Sequence, residues 1–241
     1  METYQTNQPR TPGKSTSEII AHAFEVYKGV FLYGLLAIII YTAVSFLIQP
    51  ITGFDSNLIS EEIKNADGEW VDFWEIPGFR LYYGVSGIVS LLLAPLFIGV
   101  IYMASKYDNQ QPLQASDLFI GYRQNFVNIL IYSLLASVIM SIAIIMCVLP
   151  YFLIAPLLFL GYPILLFENA SFVDAFKKSF KIAGDNYVVF LFTSILALLV
   201  SLAGILLCGI GIFATIPFYL VVMYSAYCAF CGRPHQVNLQ R

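Results

Sequence analysis

Six stretches of the chain, 30–48, 88–103, 126–149, 151–167, 187–207 and 210–230, contain no Asp, Glu, Lys or Arg. Crossing roughly 30 Å of hydrocarbon takes about 20 apolar residues in a helix, and these stretches reach or approach that length. Lipid also demands that every backbone polar group be satisfied inside the segment. Continuous apolar runs therefore predict helices, because the strands of a membrane barrel alternate apolar and polar positions. The pattern predicts an all-α integral membrane protein with six transmembrane helices.

The runs are related to one another. A shift of 61 positions carries Asn125 onto Asn186, Ser133 onto Ser194, Ala136 onto Ala197, Cys147 onto Cys208, Phe152 onto Phe213 and Pro156 onto Pro217. Tyr33–Ala37 matches Tyr132–Ala136, and Pro95 stands 61 positions before Pro156. Self-similarity at a fixed period signals a repeated structural unit. The expected unit is a two-span hairpin, present three times and, in the second copy, folded back at Pro150 and Tyr151. The first copy carries an insertion, about 49–84. Residues 1–16 read as a flexible cytoplasmic arm, 17–105 as the first repeat, 106–167 as the second, 168–232 as the third and 233–241 as a cytoplasmic tail.

Each hairpin is expected to follow a short amphipathic helix lying in the cytoplasmic interface. Before the first, Ser17 is placed to cap a helix over 18–28 with Ile20, Ala23, Phe24 and Tyr27 on one stripe. Before the second, Ser116 is placed to cap an aromatic segment over 117–124. Before the third, Ser171 and Asp174 resemble a capping box. Phe172, Val173, Phe176 and Phe180 then oppose Lys177, Lys178 and Lys181, which suits contact with lipid headgroups. Within the spans, Ser133, Ser137 and Ser141, and Ala197 with Ser201, are small residues spaced to let helices pack closely.

Composition agrees with a membrane location: 59% of residues are hydrophobic and 11% charged. The net charge of −3 hides an asymmetry. Ten Lys and Arg fall on the side holding both ends of the chain and two, Lys64 and Arg80, in the insertion. Basic loops stay in the cytoplasm, which predicts cytoplasmic termini and an acidic outer insertion. The first apolar run is a full span and is expected to be retained rather than cleaved. Trp70 and Trp74, both in the insertion, are placed either to seal the outer face at headgroup level or to dock a partner.

The sequence holds little catalytic chemistry. There is no phosphate-binding loop, no H-E-x-x-H and no G-x-S-x-G. Cys228, Cys231 and His235 form the one arrangement with metal or redox spacing, yet a structural zinc site needs four ligands and no second pair accompanies them. No cofactor and no nucleic-acid partner is expected. The prolines Pro95, Pro156 and Pro217, with Pro163, each remove a helical hydrogen bond and kink a span. Kinks at equivalent depths also suit a transport pathway between repeats. No ionisable residue lies inside a run, which disfavours a proton relay or ion-coupled pump.

Pro156 and Pro163 in one span, then Glu168-Asn169, then Ala175-Phe176-Lys177-Lys178-Ser179-Phe180 and a fresh apolar run, carry a resemblance. The pattern is similar to the membrane domain found beside glycerophosphodiester phosphodiesterase catalytic domains. It also resembles free-standing bacterial chains often labelled beta-carotene monooxygenase. The resemblance implies a multi-pass protein of the bacterial inner membrane. It brings no activity, since the phosphodiesterase domain is absent and the iron-binding histidines of a monooxygenase are missing. The expectation is a non-enzymatic accessory or scaffold subunit of an envelope or lipid-related complex, in contact with the bilayer and with another membrane protein. The alternative is a small transporter or lipid-handling protein.

Overall fold

The computed structural model describes residues 11–66, 70–146, 148–206 and 211–234. Among them every regular element is helical. Helix α1 spans Thr16–Thr52, α2 Asn57–Asn65 and α3 Phe79–Asp108, with a 3-10 turn at Phe73–Glu75 before α3. A second 3-10 turn, Ala115–Phe119, leads into the short α4, Ile120–Arg123. Then come α5 (Phe126–Met146), α6 (Val148–Leu158), α7 (Gly161–Phe167), α8 (Phe172–Asp185), α9 (Tyr187–Ala203), a turn at Gly204–Leu206, and α10 (Gly211–Cys231).

Among the described residues five segments are long and apolar enough to cross a membrane: α1, α3, α5, α6 with α7, and α10. A sixth candidate is α8 with α9, bent by 103° between them. Large apolar side chains stand exposed along these segments, among them Leu32, Phe46, Ile88, Val127, Ile145, Leu149, Phe192 and Leu199. So much unpartnered apolar surface matches lipid contact rather than water. The protein is a multi-pass, all-helical membrane protein.

The chain divides into two compact units, Ile38–Leu93 and the remainder. In the larger, α10 is the most enclosed element. Every residue of 217–228 except Tyr219 is buried. Helix α9 packs along α10, α5 packs on α6, and α6 on α8 and α9. The first turns of α1 lie against α10 through Phe24 and Phe218 (ring centroids 4.5 Å apart) and a hydrogen bond from the Tyr27 hydroxyl to the Ala214 carbonyl. Gly34 permits close approach at the same seam, since a Cβ there would come within 2.7 Å of Pro217.

The α6–α7 pair shows how a helix is interrupted where water is scarce. Pro156 cannot donate a backbone hydrogen bond, and α6 stops two residues later. Helix α7 restarts at Gly161, with Pro163 in its first turn where no amide partner is needed. The backbone groups freed at the break are taken up by side chains. Ser179 of α8 donates to the Leu157 carbonyl (2.6 Å) and accepts from the Leu160 amide (3.2 Å), and Tyr132 of α5 donates to the Leu158 carbonyl (2.9 Å). Unsatisfied groups at that depth would each cost several kcal/mol (about 2 or more).

A comparable contact joins α3 to the segment before α4. Gly99 faces the backbone of Leu118 so closely that any Cβ would overlap its carbonyl, and Leu118 is fully buried. Gly121 lies against Pro95 in the same way.

In the unit Ile38–Leu93, Phe54 and Ile76 are buried; Phe54 packs on Phe79 and Tyr82, and Phe79 on Phe73 and Trp74. Arg80 fixes the turn by donating from Nε to the Trp74 carbonyl at 2.8 Å.

Several local expectations are corrected. The segment 18–28 does not turn into the first span. It continues unbroken in α1, because Ile19, Ile20, Ala23 and Val26 are buried rather than laid on a surface. Ser15, not Ser17, accepts the Glu18 amide (3.4 Å), and Gln114, not Ser116, precedes the turn before α4. Ser171 does cap α8, accepting from the Asp174 amide at 3.2 Å. Pro150 falls in the first turn of α6, which begins at Val148. Helices α1 and α3 also reach into the insertion, leaving 53–78 between them. Of the serine stripe only Ser133 is buried, while Ser137 and Ser141 are exposed. Ala197 and Ser201 are buried, in line with their packing role. Cys147, Cys208 and most of the expected terminal arm and tail lie outside the described residues.

Candidate functional site

Lys106-Tyr107-Asp108 ends α3 in a motif that fixes where its last acid sits. The Gln111 amide bonds to the Lys106 carbonyl (2.8 Å) and the Gln110 amide to the Tyr107 carbonyl (2.9 Å), with Gln110 at φ 56°. These are the two bonds of a Schellman cap, here with glutamine in the left-handed position. Asp108 therefore lies at the C-terminal, electronegative end of its helix, where a carboxylate is disfavoured. Its side chain is only 9% exposed, so the charge needs partners from the protein.

It has three. Tyr224 of α10 donates its hydroxyl to Oδ2 at 2.7 Å, and Arg233, just beyond α10, donates from Nη2 to Oδ1 at 3.1 Å. His22 of α1 places Nε2 3.4 Å from Oδ1, an ion-pair distance without hydrogen-bond alignment. The other ring nitrogen, Nδ1, lies 2.9 Å from the Ser225 hydroxyl. One carboxylate thus joins the ends of α1, α3 and α10 with the segment after α10.

Two further ties lie in the same unit. Glu168, at the end of α7, accepts from the Tyr227 hydroxyl (3.0 Å) and from Lys178 of α8 (2.6 Å). Lys106 donates to Asp117 at 2.7 Å, and Asp117 also accepts the Gln114 amide. In each case a charged side chain at a helix end connects two elements.

Ser225, His22 and Asp108 stand in the order of a nucleophilic triad, which makes their surroundings decisive. Ser225 is completely buried, with its neighbours in α10 buried on either side. It sits within a continuous helix, where backbone amides already serve the helical ladder and are not available as oxyanion donors. Asp108 divides its oxygens between Tyr224 and Arg233 as well as His22. The arrangement suits a helix tie rather than acyl transfer. A fluorophosphonate probe is expected to leave Ser225 unlabelled, and Ser225→Ala to cost about 1 kcal/mol of stability, the ordinary worth of one hydrogen bond. Mass-spectrometric detection of probe on Ser225 would contradict this assignment.

The residues singled out from sequence are placed as follows. Cys228 is buried and Cys231 half-buried, one turn apart on α10; His235 lies outside the described residues. Among the described residues no group of three or more His, Cys, Asp or Glu is disposed to hold a metal ion. Pro95, Pro156, Pro163 and Pro217 are all buried, Pro95 and Pro217 in close helix contacts. All three lysines are exposed, but Lys178 is paired with Glu168 at 2.6 Å. In the other unit, Trp70 is fully exposed and Trp74 59% exposed. Trp70 borders a pocket of about 380 Å³ that also includes Glu62, Asp72 and Glu75.

The Asp108 cluster was not foreseen. In the sequence His22 falls opposite the apolar stripe of 18–28, and Asp108 falls in the polar connection before the second hairpin. No motif marks Asp108 in the sequence, where Lys106 and Tyr107 precede it after the apolar run that ends at 103. Comparisons with protein-family models, curated proteins and solved structures find no match.

Proposed function

We propose that the chain is a non-enzymatic accessory or scaffold subunit of the bacterial inner membrane, with both termini cytoplasmic, serving an envelope or lipid-related complex. In this reading its six spans are three repeated hairpins that close on one another, α10 against α1. Contact geometry supports the repeat. Gly99 with Leu118 and Leu160 with Ser179 are contacting residue pairs related by a displacement of 61 positions, the first through backbone approach and the second through a hydrogen bond. The excess of Lys and Arg at the two ends and in alternate connections supports the orientation.

The observation that carries the scaffold reading is the use of polar groups within the larger unit. Asp108, Glu168 and Asp117 are engaged by neighbouring helices, and the break between α6 and α7 is filled by Ser179 and Tyr132. A small transporter or lipid-handling protein is the second reading, favoured by that same discontinuity at Pro156, since broken helices form substrate sites in transporters. There, however, the freed backbone groups face the substrate. Here the neighbouring side chains consume them.

Purification in nanodiscs with mass spectrometry of all co-isolated protein and lipid tests the choice. The expected result is one protein partner at fixed stoichiometry, retained when Pro95, Pro156 and Pro217 are replaced singly by alanine. One enriched lipid or small molecule without a protein partner, lost in the proline variants, would favour transport instead.

A further inference from the structure

Helix α8 has an inward face of small residues, Ala175, Ser179 and Ala183, all fully buried. The side turned outward is mixed. Val173 is 40% and Phe180 39% exposed, and Lys177 and Lys181 are exposed beside them. At 3.6 residues per turn these four fall within one sector of about 100°. Lys178 projects farther round, toward its bond with Glu168. Asp174 and Asp185 also lie beyond Lys181 in that direction, and Asp174 accepts the Ser171 hydroxyl at 2.7 Å. The three lysines, equivalent by sequence, are therefore divided. One is a structural tie, and two have no ion-pair partner among the described residues and border an exposed apolar strip.

The direction of α8 gives that strip its meaning. It meets α9 at 103°, so a membrane-crossing α9 leaves α8 nearly parallel to the bilayer surface. We propose that Lys177 and Lys181, with Val173 and Phe180, form a binding face for the headgroups of anionic phospholipid in the adjacent leaflet. Cations four apart on a helix are neighbours about 6 Å from each other, close enough to share one phosphate. The apolar pair beside them reaches the acyl boundary, as in helices that lie in the interface. This inference rests on the topology proposed above, in which α9 spans and α8 does not.

The test uses the purified full chain in mild detergent, titrated with equal amounts of phosphatidylglycerol and phosphatidylethanolamine and read by native mass spectrometry. The expected result is preferential retention of phosphatidylglycerol. K177Q/K181Q should lose that preference by about 25-fold, since each basic residue at an anionic surface is worth roughly fivefold. K178Q should keep it. Equal retention by K177Q/K181Q and the parent chain, or equal loss in K178Q, would overturn the proposal. Displacement of the lipid by millimolar inorganic phosphate would also overturn it, in favour of a free-anion site. A separate readout isolates the topology. Phe180→Trp in a chain lacking Trp70 and Trp74 should be quenched by shallow brominated lipid whatever its charge. Quenching without charge preference sinks only the lipid site, and absence of quenching sinks the topology beneath it.

Discussion

Replacing Asp108 by asparagine is expected to lower the unfolding temperature of the purified chain by roughly 10 °C. The side chain keeps its shape and an oxygen for the Tyr224 hydroxyl, so packing is little changed. What disappears is the charge facing Arg233 and His22, whose side chains are 18% and 12% exposed. Breaking a buried pair from one side costs about 3–5 kcal/mol, because the remaining charge stays desolvated without compensation. In a chain of this size such a loss corresponds to a shift of this order. Removing the second charge should recover most of it: D108N/R233Q is expected to melt closer to the parent chain than D108N alone. The double-mutant cycle then measures the coupling directly. If D108N melts like the parent chain, the carboxylate is solvated and joins nothing.

The second large effect is steric. Gly99→Leu places a side chain where the Leu118 backbone already stands. Overpacking commonly costs about 1–3 kcal/mol, and this site belongs at or above the upper end. Its neighbour is main chain, unable to rotate aside, and the buried Leu118 side chain must move with it. Gly87, earlier in the same helix, has open space around it, so Gly87→Leu is expected to be nearly neutral. A thermal melt of the two variants checks the contrast. Equal stability would mean that the turn before α4 is not held against α3.

The contrast between these glycines shows which features were legible in the sequence. The apolar runs announced the helices because lipid imposes a length and a composition that water does not. The period of 61 positions was equally plain, and Ser171 could be identified as a cap from local chemistry alone. The roles of individual residues within the runs were not legible. Ser137 and Ser141 have the spacing of a packing stripe yet face outward, since close packing depends on which neighbour a helix meets. Lys177, Lys178 and Lys181 are indistinguishable until Glu168 is brought beside one of them. His22 stands opposite an apolar stripe, and Asp108 and Arg233 read as ordinary charges in the polar segments that follow apolar runs. Their common site exists only after three distant helices are assembled.

That assembly also has an order in time. Asp108 and Arg233 are separated by 125 positions. At the usual 5–20 residues per second of ribosomal synthesis, Asp108 emerges about 6–25 s before its guanidinium partner. Throughout that interval the nascent helices α1 and α3 hold His22 and a carboxylate that nothing later in the chain has yet covered. A ribosome stalled between the second and third repeats would therefore leave an intermediate whose Asp108 lacks both Tyr224 and Arg233.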